Sequence, residues 1–274
     1  MDILSAIILG AVQGISEFLP ISSSGHLVLI QQLLGVQTGL AFDTILHLGT
    51  LVAIFSFFWK DILRLIGGFI GSLKDITEGN FKKGIQKNVS KKFAWLLIIG
   101  TIPTGILGIL FKDAIETVFR GTIFVGVFLL ITGIILYYSQ RHSSGKITTK
   151  EMSFTQSIII GICQGLAIFP GISRSGATIA SGLCIGLERE YAARYSFLLS
   201  IPAVMGAGLI QIKDIVSLDM SITALIAGFI SSIIFGYYSI KLLIKMIKGW
   251  SLDIFAYYCW IVGILTIILT LIFG

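Results

Sequence analysis

The stretch Gln164–Thr178 reads QGLAIFPGISRSGAT and interrupts an otherwise apolar part of the chain. Arg174 lies there between two serines, and Pro170 prevents a continuous helix. A charged side chain at the centre of a membrane helix costs about 2.5–3.5 kcal/mol on insertion scales, so Arg174 predicts an anion close by. Amide groups of a loop rich in Gly and Ser can also face an anion. The stretch therefore predicts an anion-binding loop within apolar surroundings.

A second copy of this stretch lies near the start of the chain. Gln13–Leu27 reads QGISEFLPISSSGHL, and it aligns with Gln164–Thr178 without a gap, with seven of 15 positions identical. The two copies differ in the functional groups of their side chains. The first carries an acid, a hydroxyl and an imidazole, and the second carries a guanidinium. We interpret the two copies as halves of one site. Two ordinary Gly/Ser breaks in membrane helices are the alternative.

Composition indicates a membrane protein. Of 274 residues, 55% are hydrophobic and 12% are charged, and the mean hydropathy is +0.95. No basic segment precedes a short apolar run with a cleavage site, so no cleaved signal peptide is expected. The net charge of +6 comes from residues clustered in predicted loops, which argues against nucleic-acid binding. Three cysteines in apolar runs predict buried side chains rather than disulfides or a metal site.

The apolar segments predict an all-α integral membrane protein with six transmembrane helices and two re-entrant helix-loop-helix units. The re-entrant units are predicted at residues 2–34 and at Phe154–Leu187, because each motif interrupts apolar pieces too short to span alone. The six spans are predicted at Phe42–Trp59, Phe93–Phe111, Gly121–Ser139, Tyr191–Ile212, Ile222–Leu243 and Ile254–Phe273.

Three polar segments connect these elements. Residues 60–92 are predicted as a basic loop, in which Ile62–Leu73 lies on the membrane surface as an amphipathic helix. Lys112–Arg120 is predicted as a short connection. The polar linker Gln140–Glu151 is the predicted boundary between the two halves of the chain.

The two halves predict an inverted-topology repeat that forms one membrane domain. Residues 1–140 and residues 151–274 each hold a re-entrant unit followed by three spans. Because each half has an odd number of spans, the chain enters the second half from the opposite side of the membrane, and the second half is inverted. The two loops can then meet from opposite faces near the midplane, as in many transporters. Sixteen of the 20 Lys and Arg residues fall on one side of this topology. That side is predicted to be cytoplasmic, with both termini and the first loop facing outside.

The first loop carries the candidate catalytic side chains. Glu17 is an acid inside an apolar stretch, where a carboxylate needs a partner, and Gln13 lies one turn earlier on the same helix face. Ser23 is predicted as a nucleophile activated by the nearby carboxylate and imidazole, with a water nucleophile left open. His26 is predicted as a general acid or base. A purely structural ion pair with Arg174 is the alternative for Glu17.

Arg174 is predicted to hold a phosphoryl group and to act in catalysis. Its planar guanidinium binds two oxygens at once and stabilises the charge that develops on them. Further phosphate ligands are expected among the hydroxyls and amides of both loops: Ser22, Ser24, Ser173, Ser175, Gly176 and Thr178. Asp43 and His47 share one helix face, and they either line the cavity or only orient the first loop. Gln13 and Gln164 are polar contacts between helices or part of the site.

The motifs PGISRSGAT, QGISE and SSSGH closely resemble those of the bacitracin-resistance family of undecaprenyl-diphosphate phosphatases, over essentially the whole chain. The resemblance implies hydrolysis of undecaprenyl diphosphate to undecaprenyl phosphate and inorganic phosphate. This reaction recycles the lipid carrier for peptidoglycan synthesis and confers resistance to bacitracin. The resemblance also implies a multi-pass protein of the bacterial plasma membrane, whose site opens to the outer face, and a divalent cation, Mg²⁺ or Ca²⁺.

The family motif E/Q-x-x-x-E has Gln13 in its first position here, so Glu17 alone supplies a carboxylate in that helix. Glu17 and Gln13 are the candidate metal ligands. An ion carried in by the diphosphate fits such a small set of protein ligands. The expected partners are a polyprenyl diphosphate and membrane lipid, without nucleic acid, and a homodimer is left open.

A lipid flippase or secondary transporter is the alternative function, because inverted repeats with broken helices often accompany alternating access. Fold analogy alone does not decide between transport and hydrolysis. The type-2 phosphatidic acid phosphatases share an SGH box with this chain. Their K-x6-R-P and S-R-x5-H boxes are not found in its sequence, which argues against that class.

Overall fold

A computed structural model describes residues 1–36, 38–111, 121–143, 145–216 and 220–273. In chain order its helices are α1 (Ile3–Phe18), α2 (Ser23–Leu34), α3 (Leu40–Thr77), α4 (Phe81–Lys87), α5 (Val89–Leu110), α6 (Thr122–His142), α7 (Phe154–Leu166), α8 (Arg174–Cys184), α9 (Arg189–Ile210), α10 (Ile212–Val216), α11 (Ile222–Gly249) and α12 (Asp253–Phe273). Among the described residues, six helices are long and apolar enough to cross a membrane: α3, α5, α6, α9, α11 and α12. The predicted all-α architecture with six spans is confirmed. The connection predicted at Lys112–Arg120 lies outside the described residues.

The first long helix extends far beyond the predicted span. α3 contains both the span and the amphipathic segment Ile62–Leu73, and its backbone leaves helical geometry only at Phe58 (φ −103°, ψ 19°). Trp59 and the polar residues after it are compatible with a helix, so the helix continues past the apolar segment. The segment predicted as a loop at residues 60–92 is therefore largely helical, formed by the end of α3, by α4 and by the start of α5.

Both copies of the repeated stretch join a pair of short helices. α1 and α2 flank the first copy, and α7 and α8 flank the second. α1 has 16 residues and α7 has 13. At 1.5 Å per residue these helices are about 24 and 20 Å long, which is less than the hydrocarbon core of about 30 Å. Both helices are therefore shorter than the six long apolar helices and than the hydrocarbon core.

The short helices pack against long helices from the other half of the chain. α1 packs against α11, and α7 packs against α5. Small residues permit this close approach, since a Cβ on Gly14 would lie 2.7 Å from the amide of Gly236. A Cβ on Gly161 would meet the carbonyl of Gly100 in the same way. Contact through small residues is typical of membrane helices, and here it brings the loops of both halves into one region.

Candidate active site

The two loops contact each other directly. The hydroxyl of Ser175 donates a hydrogen bond to the Leu19 carbonyl over 3.1 Å. The amide of Gly171 donates to the hydroxyl of Ser22, also over 3.1 Å. The predicted meeting of two segments far apart in the sequence is therefore present in the structure.

Glu17 lies at the centre of the polar contacts between the loops. Its side chain is 5% exposed, and Oε1 accepts a hydrogen bond from Nη2 of Arg174, which forms a buried ion pair. Oε2 accepts hydrogen bonds from Nε2 of Gln13 over 2.9 Å and from the hydroxyl of Ser23 over 2.6 Å. The anion that Arg174 predicts is therefore Glu17. An ion pair of this kind is expected whether Glu17 has a structural or a catalytic role, so it does not decide between the two interpretations.

Two polar atoms of this cluster are buried without a hydrogen-bond partner in the described part of the chain. They are Nη1 of Arg174 and Oε1 of Gln13. Unpaired buried polar atoms are rare and require an explanation. A guanidinium nitrogen is a donor for an anion, and an amide oxygen is an acceptor for a donor or a cation. A ligand at this cluster would have this donor and this acceptor to bind, although the described residues outside the cluster also include unpartnered buried atoms, in Gln164, Arg189 and Arg194.

The first loop uses its serines mainly to shape the backbone. Ser22 is the N-cap of α2, and its hydroxyl accepts hydrogen bonds from the amides of Gly25 and Gly171. Its φ of 70° is unusual for a residue other than glycine, and strain of this kind is often found at functional sites. Ser24 lies 3.5 Å from Ser22 between hydroxyl oxygens. Phosphate binding by Ser22 and Ser24 stays a prediction.

The second loop repeats this pattern. Ser173 is the N-cap of α8, its hydroxyl accepts from the amide of Gly176, and it lies 3.2 Å from the hydroxyl of Ser175. Thr178 donates to the carbonyl of Arg174, one turn earlier, over 2.8 Å. These side chains are buried and have partners within the protein, which explains how Arg174 is positioned at the start of α8. Phosphate binding by the same groups is not tested by these contacts.

The imidazole in contact with Glu17 belongs to His47, whose role the sequence left open. Nε2 of His47 lies 3.5 Å from Oε2 of Glu17, while Nδ1 lies 2.8 Å from the carbonyl of Asp43. The carboxylate of Asp43 faces elsewhere and accepts hydrogen bonds from Gln31 and Thr38. Sequence spacing placed Asp43 and His47 on one helix face, but it did not show which of them meets the first loop.

His26 has a different set of partners. Nδ1 of His26 lies 2.8 Å from the Ser22 carbonyl, and Nε2 lies 2.8 Å from the hydroxyl of Tyr258 on α12. No sequence signal pointed to Tyr258, because it lies outside both repeated stretches. His26 therefore adjoins the loop on the side of α12, and its predicted role as general acid or base stays a prediction.

The two equivalent glutamines differ in their surroundings. Gln13 contacts Glu17, and it is part of the polar cluster. Gln164 instead donates from Nε2 to the hydroxyl of Thr104 over 3.1 Å and to the carbonyl of Leu199 over 3.5 Å. Gln164 is therefore a polar contact between helices, whereas Gln13 contacts Glu17, and a role of Gln13 in ligand binding stays a prediction. The second copy has no carboxylate at the position of Glu17, which accounts for the difference.

Comparison with known proteins identifies the family. The sequence model described as Bacitracin resistance protein BacA matches residues 6–265, which include both loops. This chain belongs to the BacA family. The BacA chain is 76% identical over 274 residues to an undecaprenyl-diphosphatase of Methanosphaera stadtmanae, with 99% of each chain covered. It is 51% identical over 267 residues to an undecaprenyl-diphosphatase of Methanobrevibacter smithii, with 97% of this chain and 96% of the relative covered.

A more distant relative has the same name. The undecaprenyl-diphosphatase of Halothermothrix orenii is 45% identical over 277 aligned positions, and each chain is covered completely. The BacA match and these relatives confirm the resemblance that the three sequence motifs indicate.

A divalent cation stays a prediction for this BacA protein. Within the described ranges, no group of three or more His, Cys, Asp or Glu side chains is placed to hold a metal ion. The carboxylate of Glu17 and the unpartnered Oε1 of Gln13 are hard oxygen ligands, which Mg²⁺ and Ca²⁺ prefer. Arg174 already pairs with Glu17. An ion at this position would therefore take most of its ligands from water or from a phosphate.

Proposed function

We propose that this BacA protein hydrolyses undecaprenyl diphosphate to undecaprenyl phosphate and inorganic phosphate. The observation that carries the proposal is the shared buried carboxylate of Glu17, which contacts a guanidinium from one loop and a hydroxyl from the other. The name undecaprenyl-diphosphatase of relatives at 76% and 51% identity supports the choice of substrate. The reaction would recycle the lipid carrier for peptidoglycan synthesis and would remove the diphosphate to which bacitracin binds.

Arg174 binds the terminal phosphoryl group in this proposal. Nη1 of Arg174 is a buried donor without a partner among the described residues, and a phosphate oxygen would provide its acceptor. Glu17 and the phosphate then share the guanidinium, through Nη2 and Nη1, and the repulsion between their negative charges weakens the binding of both. A preorganised guanidinium stabilises the charge that develops on the phosphoryl oxygens during transfer.

Glu17 accepts the proton of the nucleophile. The hydroxyl of Ser23 already donates to Oε2 over 2.6 Å, which is within the reach of a general base. In the serine route, Ser23 Oγ attacks the terminal phosphorus, its proton passes to Glu17, and the bond to the bridging oxygen breaks. Water then hydrolyses the phosphoserine, which releases inorganic phosphate. In the water route, a water molecule bound beside Ser23 attacks directly, and Ser23 serves as a phosphate ligand.

His26 delivers a proton to the departing undecaprenyl phosphate. A divalent cation bound by Glu17, Gln13 and phosphate oxygens would neutralise part of the substrate's charge. The serines of both loops and the Gly176 amide keep the loop backbone in place around the phosphate.

The proposal includes an inverted repeat of residues 1–140 and 151–274, with α1–α2 and α7–α8 as re-entrant units in one membrane domain. The reciprocal packing of α1 on α11 and of α7 on α5 supports it, as does the short length of α1 and α7. With the basic side in the cytoplasm of the plasma membrane, the site opens to the outer face. The polyprenyl chain then stays in the bilayer while the diphosphate enters between the loops.

Purified protein in detergent is expected to release inorganic phosphate from farnesyl or undecaprenyl diphosphate when Mg²⁺ is present. One lipid monophosphate should form per phosphate released, because a single phosphoric anhydride bond is cleaved. The measurement combines a colorimetric phosphate assay with chromatography of the lipid product. Movement of intact diphosphate across vesicle membranes, without any phosphate release, would replace this proposal by the transporter alternative.

A further inference from the structure

Tyr258 fixes the ring of His26 from outside the two loops. Its hydroxyl lies 2.8 Å from Nε2 of His26, and the two rings stack with centroids 5.6 Å apart and an angle of 11° between their planes. The other ring nitrogen, Nδ1, faces the carbonyl of Ser22 over 2.8 Å. A carbonyl only accepts hydrogen bonds, so Nδ1 carries a hydrogen. In the neutral ring, Nε2 therefore accepts a hydrogen bond from the Tyr258 hydroxyl.

The contact joins parts of the chain that are far apart. Tyr258 follows His26 by 232 residues and comes from α12, the last helix. The adjacent residue, Cys259, is buried, and its thiol lies 3.7 Å from the carbonyl of Pro20 in the first loop. α12 therefore supports the first loop beside its histidine. The side chain of Tyr258 itself is 40% exposed, so its hydroxyl is not needed to fill a core.

The two imidazoles near the site are held by different partners. His47 faces the carboxylate of Glu17, whereas His26 is turned to Tyr258. With Ser22 at Nδ1 and Tyr258 at Nε2, both ring nitrogens of His26 have hydrogen-bond partners. These two contacts hold the ring in its orientation.

We propose that Tyr258 is a positioning residue of the active site, which holds the orientation of the His26 ring so that Nε2, the nitrogen without a hydrogen in the neutral ring, is the one that takes up and releases the catalytic proton. The proposal rests on the proposed role of His26 in the hydrolysis. When the ring is protonated at both nitrogens, Nε2 donates to the Tyr258 oxygen. As the bond between the bridging oxygen and the terminal phosphorus breaks, that oxygen replaces the Tyr258 oxygen as acceptor, the Nε2–H bond breaks, and the proton passes to the departing undecaprenyl phosphate. The neutral ring accepts the Tyr258 hydroxyl again.

The first test removes only the hydroxyl. Tyr258→Phe keeps the stacked ring, and we expect kcat to fall about 5- to 20-fold, the usual effect of one lost hydrogen bond, while KM changes little. Tyr257→Phe is the matched control, because the Tyr257 ring packs on Tyr137 and Trp260 instead. We expect Tyr257→Phe to retain wild-type kcat. Wild-type kcat in Tyr258→Phe would overturn the proposal.

The second test does not depend on catalysis. The chain has three histidines, so ¹⁵N-histidine spectra can be assigned to His26 by comparison with a His26→Asn variant. In Tyr258→Phe we expect the Nε2 resonance of His26 to move, because this nitrogen loses its hydrogen-bond donor, while His47 and His142 stay unchanged. An unchanged His26 spectrum would overturn the proposal even if activity fell. Wild-type protein that released no phosphate would refute the proposed function alone, because the spectroscopic result would still stand.

Discussion

Replacement of Arg174 by lysine is expected to lower kcat/KM by about 10³-fold or more, because the guanidinium that we propose to bind the phosphoryl oxygens is lost. Lysine keeps the positive charge beside Glu17, so a buried carboxylate is not left unpaired. Its ammonium is a single point donor and does not bind Glu17 and two phosphate oxygens with a planar fork. The measurement is the initial rate of phosphate release at several concentrations of undecaprenyl diphosphate.

The matched control for this change is Arg141→Lys. Arg141 also pairs with a carboxylate, that of Asp253, over 2.7 Å, but its side chain is 41% exposed at the end of α6. We expect Arg141→Lys to keep wild-type activity. If Arg174→Lys retained more than about a tenth of the wild-type rate, less than about 1.4 kcal/mol of transition-state stabilisation would depend on the guanidinium, and its assigned role would be wrong.

Glu17→Gln should abolish most of the turnover while strengthening substrate binding. The amide keeps the shape of the side chain but accepts no proton from Ser23, so we expect kcat to fall about 10²- to 10⁴-fold. The negative charge that competes for Arg174 is also gone, so KM should fall together with kcat. This combination separates a catalytic from a structural role. A purely structural ion pair predicts a lower unfolding temperature and an unchanged kcat for each folded molecule.

Glu151→Gln is the control for the loss of a carboxylate. Glu151 is exposed in the linker after α6 and accepts hydrogen bonds from the backbone and hydroxyl of Thr148. We expect this variant to match the wild type in kcat and in KM. A raised KM in Glu17→Gln, with kcat preserved, would show that Glu17 helps to bind substrate rather than to activate the nucleophile.

The charge of the site explains why a cation is expected with the substrate. Glu17 and Arg174 cancel each other, and Gln13 adds no charge where the family motif also permits an acid. A diphosphate therefore enters a pocket with little net positive charge. An ion that arrives with the diphosphate would supply the missing charge, which fits the small set of protein oxygens present.

The sequence predicted correctly those features of the fold and the site that depend on a single physical requirement. The cost of Arg174 in apolar surroundings demanded an anion, and the structure supplies Glu17, the ion pair that the sequence offered as the structural alternative. The long apolar segments demanded helices that cross the membrane, and six are present in the described residues. Both requirements act on few residues and do not depend on the details of packing.

Other features depend on tertiary contacts that a sequence does not display. The choice of His47 rather than His26 beside Glu17 follows from the rotation of α3 against the first loop. The hydroxyls of Ser22 and Ser173 satisfy backbone amides as helix caps, although the residue type fitted phosphate binding equally well. Tyr258 lies in an ordinary apolar span, and only the packing of α12 brings it to the site.

The most direct measurement of the central claim is a disulfide between the two loops. A Cβ on Gly176 would lie 3.5 Å from the Cβ of Pro20, within the range that a disulfide requires. It would also lie 2.9 Å from the Cβ of Ser173, so a small shift of Ser173 accompanies the substitution. The variant carries Pro20→Cys and Gly176→Cys, and alanine replaces the three native cysteines because Cys259 lies close to Pro20. Mild oxidation followed by proteolysis and mass spectrometry is predicted to yield a linked peptide from both loops. If both introduced thiols reacted with a maleimide but no linked peptide formed, the two repeated stretches would not meet, and the account of one shared site would be wrong.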